Sequence, residues 1–158
     1  MYGVSKASAT ESITLVSFTK VPADFLHMSG FFEKVAEHGV NIDMISQTAP
    51  QSGAINISFT APDRDLPKLM ELIGSFRKQH PEIQTLVSSG NVKISLYGDE
   101  MRHTPGVAAK AISTVSSATD TIYLITTSEI DISFLIADES LPNVQEAIEK
   151  AFALSMEQ

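Results

Sequence analysis

The stretch Leu96–Ile136, LYGDEMRHTPGVAAKAISTVSSATDTIYLITTSEIDISFLI, decides the fold. A short alternating strand, Val92 to Tyr97, leads into a polar loop that ends at Thr104, Pro105 and Gly106. Val107, Ala108, Ala111, Ile112 and Val115 then keep one apolar stripe at helical spacing. Two runs follow, Thr121 to Thr127 and Glu129 to Ala137, the second alternating at Ile130, Ile132, Phe134 and Ile136. The order is strand, loop, helix, strand, strand. A helix start leaves backbone N–H groups without partners, and such groups suit an anion. The carboxylate of a free amino acid is an anion of that kind.

Upstream, the same order is already present. Tyr2 and Val4 share one face of a short strand-like piece, Met1 to Ser5, and Lys6 to Glu11 reads as a small polar connection. Ser12 to Thr19 is apolar on both faces, as a buried central strand is. Asp24 is a candidate N-cap, followed by Phe25, Met28, Phe32 and Val35 on one helix face and a stop at His38-Gly39. Strands are expected at Asn41 to Thr48 and around Ile55, Ile57 and Phe59. A helix from about Asp65 to His80 carries Leu66, Leu69, Met70, Ile73 and Phe76. Pro81 ends it, and Ile83 to Val87 makes another strand. Ser88-Ser89-Gly90 reads as the boundary between two modules.

The chain repeats itself. Val35 and Val115 stand 80 residues apart, as do the runs beginning at Asn41 and Thr121. Beyond the next loop the offset is 75, so Ile55, Ile57 and Phe59 match Ile130, Ile132 and Phe134. Asp63-Arg64-Asp65-Leu66-Pro67 likewise matches Asp138-Glu139-Ser140-Leu141-Pro142, with Pro in a first turn where helices tolerate it. The five-residue difference falls in a hairpin loop, where length costs little. The sequence therefore predicts two βαββαβ units, an α+β fold of two ferredoxin-like modules.

The second copy ends soon after its last helix, about Pro142 to Leu154, and lacks a fourth strand of its own. The spare N-terminal strand is expected to complete its sheet, with the first module inserted in the second. The expected modules are 12–88 and 1–5 plus 91–158.

Composition excludes several function classes. A net charge of −8 argues against a nucleic-acid surface, which needs clustered Lys and Arg. With no cysteine there is no disulfide, thiolate nucleophile or Cys-based zinc site. No apolar run approaches the roughly 20 residues of a membrane span, and no signal-peptide pattern opens the chain, so a cytoplasmic protein without membrane contact is expected. His27, His38, His80 and His103 have no metal-like spacing, and no nucleophile–base order or phosphate loop is present. Neither metal nor cofactor is expected.

The words GDEMRHTPGVAAK (Gly98 to Lys110), TTSEIDIS (Thr126 to Ser133), VNIDMISQ (Val40 to Gln47) and ISFTAP (Ile57 to Pro62) resemble the paired ACT domains of the regulatory region of aspartate kinase. The short opening MYGVS resembles that family's strand before the modules. The resemblance covers essentially the whole chain and does not include a catalytic region. It implies an allosteric, amino-acid-binding pair, with lysine or threonine as effector, and a kinase catalytic domain or subunit as partner. A homodimer is also expected, because exposed sheet edges and faces invite pairing.

Carried over position by position, the effector-binding candidates are Asp24, Phe25, Leu26, Asn41, Ile42, Asp43 and Gln47 in the first copy. In the second they are Met101, Pro105, Gly106, Val107, Ala108, Ser128 and Glu129. The first copy departs from the family pattern: Phe25-Leu26 stands where the second has Pro105-Gly106. Gly106 either admits a carboxylate to bare backbone or is a turn glycine at a helix start. Asp43 and Glu129 either receive an ammonium group or stay solvated as most carboxylates do. Asn41 and Gln47 either bond a ligand or cap loop backbone. The rival to amino-acid sensing is a ligand-free dimerisation module.

Overall fold

Strand β1 (Lys6–Pro22) runs seventeen residues without a break, and so includes the polar stretch Lys6–Glu11 expected as a connection. Ala7 and Ala9 are buried while Lys6 and Thr10 face solvent. The period of two is there, but it is written in small residues that carry little hydropathy signal. The computed structural model describes residues 2–158, so Met1, part of the strand expected over 1–5, lies outside the described residues. Tyr2 and Gly3 form a turn, and the strand begins at Lys6. Ser5 N–H already bonds the Tyr97 carbonyl at 2.8 Å.

The remaining elements are α1 (Leu26–Glu37), β2 (Ile45–Gln47), β3 (Ala54–Pro62), α2 (Leu66–Gln79) and β4 (Gln84–Tyr97), then α3 (Val107–Ser116), β5 (Leu124–Thr127), β6 (Asp131–Ala137), α4 (Leu141–Phe152) and β7 (Met156–Glu157). Single 3₁₀ turns at Asp63–Asp65 and Asp138–Ser140 precede α2 and α4, 75 positions apart, and each helix opens on Leu-Pro. This is a mixed fold of helices and sheet strands.

Two compact units emerge, Ser12–Ser89 and Met1–Glu11 with Gly90–Gln158. The chain passes from one unit to the other within continuous strand at both places, Glu11-Ser12 in β1 and Ser89-Gly90 in β4. Within 12–89 the strand order is β2-β3-β1-β4. In the other unit β5, β6 and β4 follow the same sense, with β1 beside β4. The short β7, absent from the expected elements, pairs parallel to β1 through Ala7–Met156 and Ser8–Glu157.

The central pairs share a signature. In β1–β3, Ser17 faces Ser58 with hydroxyls 2.7 Å apart; in β4–β6, Ser95 faces Ser133 at 3.0 Å. These half-buried or buried hydroxyls satisfy one another on the sheet, as groups withdrawn from water must.

Each unit has its own core. That of 12–89 centres on Phe18, whose ring meets Phe31 edge-on at 5.3 Å and Phe76 at the same distance. Here Phe31, not Phe25, completes the inward face of α1 with Met28 and Val35, while Phe32 is half-buried. Phe25 is the N-cap residue and no side chain caps α1, so Asp24 does not serve as N-cap. The other core gathers Ile94, Leu96, Val107, Val115, Ile132, Phe134, Ile148 and Phe152. Burying one such side chain contributes about 1.5–3 kcal/mol. The strand expected over Asn41–Thr48 is regular only at Ile45–Gln47. Its flanks still bond β3 irregularly, Asp43 N–H to Thr60 O at 3.1 Å and Thr48 N–H to Asn56 O at 2.9 Å.

Candidate functional site

The chain leaves β4 at Gly98, passes a 3₁₀ turn over Asp99–His103, and reaches α3 through Thr104 and Pro105. Gly106 is the N-cap, at φ +89°, a left-handed conformation that costs a side-chain-bearing residue energy and glycine almost none. No side chain caps α3. Its first N–H groups have no acceptor one turn earlier within the helix, and with the helix dipole they make a locus of positive potential.

Opposite this helix start lies the β5–β6 turn. Ser128 N–H bonds Asp131 O at 2.8 Å, and Ser128 Oγ accepts the Ile130 N–H at 3.3 Å. Ser128 thus shapes the turn that presents Glu129 to solvent. Helix start and turn together bound a cleft of about 280 Å³. Met101, half-buried, and Ile132, buried, form its apolar part, and Thr104 and Thr127 add hydroxyls. Glu129 is the one ionisable side chain of its lining.

All seven candidates of the second copy, Met101, Pro105, Gly106, Val107, Ala108, Ser128 and Glu129, line this single cleft. Three lining residues were missing from that set: Thr104, Thr127 and Ile132. Thr104 adjoins Pro105 and Thr127 adjoins Ser128, and the alternation of β6 already pointed Ile132 inward.

The first copy is different. Phe25 has φ −62° at the corresponding cap, and Phe25 and Leu26 stand 40% and 78% exposed. Asp24, Asn41, Asp43 and Gln47 are exposed and Ile42 is half-buried. Gln47 Nε2 reaches Thr48 O at 3.5 Å, a local contact with loop backbone. Leu26 lines a groove between α1 and α2.

Among the described residues, no three His, Asp or Glu side chains gather as a metal site requires. Among them, too, no helix is long and apolar enough to cross a membrane.

Comparison with known proteins bears on this geometry. The ACT domain family matches residues 94–152, the span that holds the cleft. An aspartokinase of Mycolicibacterium smegmatis is 34% identical over 154 residues, covering 96% of this chain and 36% of that protein. The chain is an ACT-domain regulatory region of the aspartokinase type. It spans about 36% of the length of that curated relative. The regulatory region is also similar to a solved structure of aspartokinase alpha and beta subunits, with 27% identity, a TM-score of 0.82, and 96% of this chain and 99% of that chain covered. A ligand-free regulatory subunit of aspartate kinase from Thermus thermophilus gives 25% identity and a TM-score of 0.82, covering 95% and 99%.

Proposed function

We propose that the cleft at Pro105-Gly106 binds a free amino acid, lysine or threonine, and that binding regulates an attached or associated aspartate kinase catalytic region. One observation carries the reading: Gly106 opens the uncapped N-terminus of α3 into a cleft whose single ionisable side chain is Glu129. The ligand carboxylate meets the N–H groups of Gly106, Val107 and Ala108. Its ammonium group meets Glu129 or a carbonyl oxygen. The 12–88 module is inserted in the module formed by the N-terminal segment and 91–158, and a second copy packs against the pair in a cytoplasmic homodimer. Effector binding changes that packing. A coupling of about 1–3 kcal/mol is enough to change substrate affinity several-fold.

Calorimetry with the aspartate-family amino acids tests this. Saturable binding of lysine or threonine, abolished by Gly106→Leu, supports it, and silence across the set refutes it. The first module supports a second role for itself: its junction carries bulky, exposed Phe25 and Leu26 in place of bare backbone, which suits packing between copies rather than ligand binding. If the whole region only dimerises, sedimentation reports a dimer whose stability no amino acid alters.

A further inference from the structure

Between α1 and α2, wholly inside the 12–89 unit, lies a cavity of about 480 Å³ that shares no residue with the cleft at Gly106. Small-molecule pockets run from roughly 300 to 1,000 Å³. Its two ends differ in chemistry. Where α1 begins and α2 finishes, the His27 and His80 rings stand 4.5 Å apart, centre to centre, and Phe76 lies 4.8 Å from His80. Where α1 finishes, Lys68 Nζ of α2 donates to the His38 carbonyl at 3.2 Å, and the lining carries Lys34, Glu37, Lys68 and Glu71. Among the described residues neither lysine is held in an ion pair. From His27 to Lys34 a helix rises roughly 10 Å.

Gly30 lines the groove midway, and a Cβ there would meet nothing within 4 Å. Packing within the chain therefore does not demand this glycine, which is a poor helix former. Its bare backbone keeps the groove open.

We propose that this groove binds an aromatic amino acid, its ring against the imidazole–phenyl end and its zwitterionic head among the two lysines and two glutamates. A rim with both signs in equal number suits a zwitterion better than a simple acid or amine. The groove is a second site, independent of the one at Gly106.

Calorimetric titration of the full chain with L-tryptophan and L-phenylalanine tests it, with indole-3-propionate and tryptamine as single-headed controls. The expected result is one saturable site per chain, at least tenfold weaker for either control, lost in Gly30→Leu and retained in Gly106→Leu. Leucine is a better helix former than glycine, so Gly30→Leu should raise the urea midpoint while it abolishes binding. In the wild-type chain the His27 and His80 ring signals should shift with the same saturation curve. Absence of saturation, survival of binding in Gly30→Leu, or equal affinity for the controls overturns the proposal. So does a Gly30→Leu variant that changes the sedimentation coefficient without ligand, because the groove is then an interface between chains.

Discussion

The Lys110 ammonium sits 3.3 Å from the centre of the Tyr2 ring. The same lysine's backbone N–H closes the first turn of α3 on the Gly106 carbonyl at 3.0 Å. Through one residue the N-terminal turn is tied to the helix that forms the cleft. Cation–π contacts at exposed sites contribute about 0.5–1 kcal/mol. Tyr2→Ala should therefore lower unfolding stability by about that amount in urea titration, while Tyr2→Phe keeps most of it. An unchanged urea midpoint in Tyr2→Ala would show that the contact contributes nothing.

Close approach, rather than backbone twist, fixes a second glycine. Gly98 has an extended backbone, φ −173°, yet a Cβ there would collide with the carbonyl oxygen of Gly3. Gly98→Ala should displace the N-terminal turn and destabilise the fold by about 1–3 kcal/mol, the usual cost of overpacking. A thermal midpoint equal to wild type would contradict this.

Tyr97 donates its hydroxyl to Asp99 Oδ1 at 3.1 Å. That bond, followed by the carboxylate's charge, raises the phenol above its ordinary value near 10. A folded-state value raised above the unfolded one gives stability that is complete below pH 10 and fades as pH climbs through the folded value. Absorbance titration at alkaline pH should lose its latest phenolate step in Tyr97→Phe, and that step should move to lower pH in Asp99→Asn. A titration curve indifferent to Asp99→Asn would remove the bond from the account.

Phe134 is fully buried on β6, paired in register with Ile94. Truncation to alanine leaves a cavity in the core beneath the cleft, and such changes cost about 3–5 kcal/mol. Denaturant unfolding of Phe134→Ala should show a loss in that range. A loss under 1 kcal/mol would mean that the site collapses or is wet.

The repeat was legible because large apolar residues recur at fixed offsets: Ile57 with Ile132, Phe59 with Phe134, Leu66-Pro67 with Leu141-Pro142. Where the residues are small the reading failed, as with Ala7 and Ala9, which make strand out of an apparent connection. Adjacent aromatics misled it too. Helical spacing puts Phe32 on the inward face, whereas Phe31 beside it meets Phe18 and Phe32 packs half-buried against Phe59. The cleft was legible in its two walls, Pro105-Gly106 and Ser128-Glu129, because a helix-start glycine and a hairpin turn both leave marks in sequence. The Tyr2–Lys110 contact left none, since it depends on how distant segments meet.

The most direct test follows the backbone amides of Gly106, Val107 and Ala108 by ¹H–¹⁵N NMR while lysine or threonine is added. The account predicts that these three signals move downfield together and saturate with one dissociation constant, while those of Asn41–Gln47 do not report direct contact. Amides at Gly106–Ala108 that stay still while either amino acid binds elsewhere would contradict it.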